Sequence, residues 1–489
     1  MLRRSHRTAL VLSLATLVAP HARAAPQEED VDVSFDLERA LIDGERGLTA
    51  DDAGRRARAR APQLASARAS ASSARWDQSV QWSAFLPQVQ VYAQYKRINL
   101  VRNQLFGTFD PAVAMQATAG VDDPEARALF DGLFGGFGNS ANFTQPVDSY
   151  ALGATARVPV SELFLRTFPA HRAARNIADA REIEVEARTA SVELSAREAF
   201  YAHARAVATR IVAEQALKQA EAQATQARLF VDAGTAAPVD LTTATARVEA
   251  MRSSLARTRG AVAITRNTLS TLTGVQTHEA AGIREPVIAL PEAPRDDVDA
   301  LLARALAHRP ELRAMRKMVG ANDRLSTAER NAALPTLTVD GSALYAQPNP
   351  RYVPPVDAFR TSWEVGATLA WTPNSAIIGY QRAQRAAAER ERARADLAAL
   401  EDGVRIEVVQ AFEDYKAADA AARSSEAQQH AAEETYRVRL ATYRVGAGVQ
   451  IDLLTSDLAL TQARLDRVNA AIDARIALAR LRRAIGTKD

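Results

Sequence analysis

Two stretches, Gly234-Thr235-Ala236-Ala237-Pro238-Val239-Asp240-Leu241 and Gly446-Ala447-Gly448-Val449-Gln450-Ile451-Asp452-Leu453, align without a gap, and the same register still holds where Gly274 meets Gly486. A second gapless match pairs Ala61-Pro62-Gln63-Leu64 with Arg309-Pro310-Glu311-Leu312, and at the same offset Phe85-Leu86-Pro87 with Ala333-Leu334-Pro335. Two independent matches that stay in register across whole helices identify an internal duplication, and a duplication sets the architecture before any motif does. Each half runs as helix, Leu-Pro stop, alternating segment, loop, alternating segment, very long helix, Gly turn, long helix. Residues 25–274 form the first repeat and 299–489 the second, with turns at Gly234 and Gly446 and helix-to-strand turns at Pro87 and Pro335. Between them, residues 275–298 carry Pro286, Pro291 and Pro294 and read as an extended crossover.

The alternating segments lie near 88–97, 149–158, 336–345 and 361–371. In the first, Val89, Val91, Ala93 and Tyr95 alternate with Gln88, Gln90, Gln94 and Lys96, and Tyr92 breaks the polar set. In the fourth, Trp363, Val365, Ala367, Leu369 and Trp371 stand opposite Ser362, Glu364, Gly366 and Thr368. Period-two patterning over about ten residues is the length at which a tilted strand crosses a bilayer, and aromatics near the strand ends suit an interfacial girdle. A half-buried soluble sheet would show the same alternation.

From Pro373 nothing interrupts a helical pattern until Gly446, and Leu397, Leu400, Val404, Val408, Ala411 and Tyr415 step by threes and fours along it. Leu454, Leu458, Leu465, Val468, Ile472 and Ile476 repeat the pattern in the next helix, as expected of long antiparallel helices packed as coiled coils. The loops between strands differ in length, and the first carries an insertion at about 98–148.

The chain opens with a charged MLRRSHR segment, an apolar stretch from Thr8 to Val18 and Ala22-Arg23-Ala24, so residues 1–24 read as an export signal peptide. Of 489 residues, 61 are Lys or Arg and 58 Asp or Glu; four of the basic ones, Arg3, Arg4, Arg7 and Arg23, fall in this leader, which leaves 57 against 58. That balance gives no footprint for nucleic acid. There is no Cys, which excludes disulfides, thiolate metal sites and a lipidated N-terminal Cys. The seven His are scattered, with no metal spacing, and no P-loop or nucleophile elbow is present, so no cofactor is expected and the chain reads as a non-enzyme.

Taken together, Arg309-Pro310-Glu311-Leu312 with Ala333-Leu334-Pro335, the stretch Leu369-Ala370-Trp371-Thr372-Pro373, and Tyr443-Arg444-Val445-Gly446 followed by Asp452-Leu453-Leu454 resemble the TolC-type outer-membrane efflux proteins. The resemblance implies a mainly α chain with a membrane β-barrel: a homotrimer in which each subunit gives four strands to one 12-stranded barrel, continued by a helical tunnel through the periplasm. Oligomerisation also follows from physics, since four strands alone leave open edges that lipid cannot satisfy. The resemblance further implies a periplasmic adaptor and an inner-membrane transporter as partners. It implies a gate at the hairpin tips in which Tyr443 meets Asp240 and Asp452 rings the pore. Two departures point to a weaker or differently built lock: Gly448 stands where a basic residue can occur, and Thr455 replaces a second carboxylate. Asp240 and Asp452 also suit helix capping after a Gly turn. The competing reading is a periplasmic coiled-coil adaptor or scaffold, with a secreted enzyme a distant third.

Overall fold

The computed structural model describes residues 37–42, 47–99, 120, 122–130, 132, 147–276, 282–291, 296–353, 356–445 and 447–486. The leader at 1–24, most of the insertion at 98–148 and the turn residue Gly446 lie outside them.

Helices α1 (Leu37–Leu41), α2 (Ala50–Arg60) and α3 (Pro62–Ser83) precede strand β1 (Gln88–Arg97). Strand β2 (Asp148–Val158) leads through a π-helical turn at Leu163–Thr167 into α4 (Phe168–Asp232), which pairs with α5 (Pro238–Thr273). The second half repeats the order as α6 (Val298–His308), α7 (Pro310–Asn331), β3 (Thr336–Gln347), β4 (Arg360–Ala370), α8 (Pro373–Arg444) and α9 (Gln450–Ile485). The 72 residues of α8 extend roughly 100 Å at 1.5 Å per residue.

Both Leu-Pro stops work alike. At the end of α3 the Leu86 N–H donates to the Ser83 carbonyl at 3.0 Å, and at the end of α7 Leu334 donates to Asn331 at 3.1 Å. The next residue in each case, Pro87 or Pro335, has no N–H with which to continue the helix, so the chain leaves in extended form. The helical hairpins also end alike, on Gly274 and Gly486 at φ +72° and +76°. A Cβ on Gly274 would collide with the Arg60 side chain, and one on Gly486 would press on Arg309, so an arginine from the preceding short-helix pair crosses each left-handed cap.

The four strands form one antiparallel sheet in the order β1-β2-β3-β4. Register puts Val91 with Ala154, Ala343 and Trp363 on one face, and Gln90 with Thr155, Ser342 and Glu364 on the other. Tyr92, the residue out of pattern, falls on the polar face opposite Gly153, where a Cβ would collide with its ring. Gly153 therefore makes room for an aromatic ring on the polar face. The apolar face is open: Val89 is 67% exposed, Trp363 73% and Val365 71%. No element of the described chain covers this face, whereas a half-buried soluble sheet would pack it on a core. Near the strand ends furthest from the helices, Tyr95 and Tyr150 pack at 5.2 Å between ring centres and Tyr345 stacks on Phe359 at 5.0 Å, as an aromatic girdle requires.

The core lies in the helical part. Phe200, Ala204, Leu269, Val468 and Ile472 are buried together with Ile283, Val287 and Ile288 of the crossover. The described stretch 282–291 of the crossover is thus a strap with Ile283, Val287 and Ile288 buried. Glu285 fastens it, accepting from Arg475 at 2.5 Å, the Tyr201 hydroxyl at 3.1 Å and the Ala50 N–H at 3.0 Å. Burial, with the Glu285 carboxylate second, pushes the Tyr201 phenol up to about 12. The Arg309-Pro310-Glu311-Leu312 motif builds a second fastening. Arg309, almost fully buried, donates to Glu407 of α8 at 2.5 Å, and Arg483 of α9 bridges Glu407 at 2.7 Å and Glu311 at 3.4 Å. No helix of the described residues is long and apolar enough to cross a membrane.

Candidate functional site at the hairpin tips

The turn after α4 is closed by Gly234 at φ +73°, with Thr235 N–H donating to the Phe230 carbonyl at 2.9 Å. Only glycine takes that conformation without strain. Pro238 then opens α5, and the Asp240 carboxylate accepts the Ala237 N–H at 3.3 Å. Asp240 therefore caps its helix from the third position, and its charge sits favourably at the positive helix end.

Asp452 occupies the third position of α9, yet its carboxylate turns away from the backbone and accepts from Arg439 of α8 at 3.0 Å. The basic partner thus comes from the last turns of α8. A side chain at position 448 would be tightly placed: a Cβ on Gly448 would lie 3.0 Å from the Tyr443 nitrogen and 3.2 Å from the Thr442 carbonyl carbon, so the backbone of α8 would have to shift to admit it. Thr455 bonds back to the Ile451 carbonyl at 2.8 Å and takes no part in the pairing.

Tyr443 is 8% exposed and packs edge-on against Phe230 at 5.6 Å, in a cluster with Tyr436, Leu440, Leu453 and Leu460. Burial first, and the Asp240 carboxylate second, hold its phenol above the usual tyrosine value. Tyr443 and Asp240 are neighbours, but no hydrogen bond joins them among the described residues. The direct tie between hairpins comes instead from Gln450, whose amide donates to the Asp240 backbone carbonyl at 3.0 Å.

Two further ties lie beyond the tip. Gln223 of α4 donates to the Tyr436 hydroxyl of α8 at 3.3 Å, and Arg247 of α5 reaches Asp457 of α9 at 3.3 Å. Asp457 is fully buried, and Arg464, two turns on along the same face, is nearly so and pairs with Glu433 at 3.6 Å. Burial raises the Asp457 carboxyl above its ordinary value, against the pull of Arg247 and Arg464. Gln450, Arg247 and Asp457 do not stand out as motifs. Their signal is positional: Asp457 and Arg464 occupy the same stripe as Leu453 and Leu460, where a packed helix otherwise carries apolar residues.

A duplicated chain with a four-stranded sheet, an open apolar face and two long hairpins joined at their tips is the fold of outer-membrane channels with a periplasmic helical tunnel. Residues 53–275 match the family model described as outer membrane efflux protein, the family that the sequence motifs resemble. The chain is similar in structure to the outer-membrane channel OprN, at 18% identity over 89% of each chain and a TM-score of 0.71. It is likewise similar to the CmeC outer membrane channel of Campylobacter jejuni, at 15% identity over 89% of this chain and 85% of that one, with a TM-score of 0.70. The outer membrane protein VceC of Vibrio cholerae aligns at 17% identity over 89% and 96%, with a TM-score of 0.71. At these identities the likeness is one of fold. No curated protein sequence matches the chain.

Proposed function

We propose that this chain is the subunit of a trimeric outer-membrane duct for efflux or type I secretion. Three copies complete a 12-stranded barrel in the lipid, and their hairpins form a tunnel across the periplasm. The observation that carries the reading is the sheet: its apolar face is its open face, and its two edge strands have no partner among the described residues. Edge strands in lipid must be paired, and a cyclic arrangement of copies pairs them all. A periplasmic adaptor and an inner-membrane transporter would drive the duct, which needs no catalytic group of its own.

The tip is the gate in this reading. Gln450, Gln223 and Arg247 tie the two hairpins of each subunit and hold the closed form, while Asp452 with Arg439 sets the field at the constriction. Density fractionation with heat-modifiable migration of the detergent-extracted protein tests the assembly. The oligomer is expected in the outer-membrane fraction, collapsing to monomer only on heating; a protein released with the periplasmic contents would favour the adaptor reading.

A further inference from the structure

The stretch 348–353, which follows β3, folds onto the polar face of the sheet instead of projecting beyond the strand ends. Asn349 is its anchor, only 1% exposed. Its amide donates to the Arg360 carbonyl and the Ser362 hydroxyl at 3.0 Å each, and its carbonyl oxygen accepts the Arg351 N–H at 3.0 Å. Arg351 in turn donates to the Trp363 carbonyl at 3.3 Å and forms an ion pair with Glu364. Register places Ser362 opposite Leu344 and Glu364 opposite Ser342, on the face that carries Thr155 and Gln90 and away from Trp363 and Val365. Ala346, on the same face, is 2% exposed. A buried Asn whose donors and acceptor are satisfied fixes the segment in one arrangement.

We propose that residues 348–353 form a constriction at the outer mouth of the barrel, latched by the Arg351–Glu364 pair and separate from the hairpin tips at the far end. The proposal rests on the barrel reading, under which the polar face lines the lumen and three such segments converge on it. Its two parts differ in strength. The Asn349 anchor is buried and holds the base of the segment, whereas Arg351 and Glu364 are each about half exposed, with side chains 49% and 53% accessible. An ion pair of that exposure is easily broken, so the Arg351 side chain can swing aside while the anchored backbone stays in place. The constriction therefore discriminates by solute size and yields to a bulky solute.

The chain has no Cys, so a single one can be introduced as a probe. Thr368→Cys lies on the polar face, deeper than Glu364, and Val365→Cys lies on the apolar face. Each is exposed on intact cells to a small and to a bulky membrane-impermeant maleimide, in the otherwise native chain and with Arg351→Ala or Glu364→Gln. The Glu364→Gln variant keeps size and shape, which guards against a folding defect. The bulky reagent is expected to label Thr368→Cys slowly, and about fivefold faster when the latch is broken, the factor that the upper end of an exposed ion pair supplies. The small reagent should change less than the bulky one. Equal bulky-reagent rates with and without the latch overturn the proposal, while Val365→Cys stays protected by lipid. Labelling of Val365→Cys as fast as Thr368→Cys overturns the barrel reading and the proposal together.

Discussion

Replacing Gln450 by Glu keeps the side chain's size and removes the donor that spans the hairpins. The amide–carbonyl bond to Asp240, at 3.0 Å and partly buried, contributes about 0.5–1.5 kcal/mol net. Its replacement also sets a carboxylate oxygen against a carbonyl oxygen, which adds to the loss. Acting the other way, a negative charge in the first turn of α9 gains about 0.3–1 kcal/mol from the helix dipole. The balance is a loss on the order of 1 kcal/mol per subunit. If three subunits open together, the closed state loses about 3 kcal/mol, roughly a hundredfold in the closed-to-open ratio. Single-channel recording on the purified oligomer reads this as a higher open fraction. Gln450→Ala should act in the same direction and less strongly, and Tyr443→Phe should leave gating near native because its hydroxyl carries no bond to Asp240. Native gating in both Gln450 variants, with opening in Tyr443→Phe, would show that the tie had been placed on the wrong residue.

Three other expectations follow from the same geometry. Asp452→Asn should lower cation selectivity, measured as a reversal-potential shift, with little change in thermal stability, since the exposed pair with Arg439 is worth about 0–1 kcal/mol. Asp457 has its carboxyl pKa raised in the folded chain, so its protonation stabilises the fold at acid pH and that contribution fades as pH rises from the ordinary value of 3.8 through the folded one; the midpoint difference between native protein and Asp457→Asn should therefore grow in favour of the native chain on acidification, and a pH-independent difference would contradict the assignment. On the sheet, Val365→Arg should impair assembly, with about 2–4 kcal/mol at stake for a lipid-facing arginine, while Thr155→Arg on the lumen face should assemble, as judged by heat-modifiable migration.

The fold was legible because its elements advertise two different periods. Val89, Val91, Ala93 and Tyr95 repeat every second residue, Leu397, Leu400, Val404 and Val408 every third or fourth, and Pro87 and Pro335 punctuate the change from one to the other. The duplication then let each half check the other. Less of the tip was legible. Asp240 and Asp452 occupy equivalent places in the two repeats, yet one caps a backbone N–H and the other pairs with Arg439, because Gly448 and Arg439 have no counterparts that sequence alignment of the halves would single out. Gln450 aligns with Pro238, so the repeat itself hides a side chain whose partner lies on the other hairpin. The crossover shows the same limit. Ile283, Val287 and Ile288 are too sparse among prolines and polar residues to show a period, and their burial is decided by the groove between helices that receives them. Local pattern reports local structure; contacts between the halves depend on how the halves dock.

In the proposed assembly, the edges of one subunit's sheet are completed by other copies of the same chain in the outer membrane. The most direct measurement is the native mass of the protein extracted from outer-membrane vesicles in mild detergent. The expected result is a complex of three chains that falls to one chain on heating. A single chain of native fold, stable in detergent with its β1 and β4 edges unpaired, would contradict it.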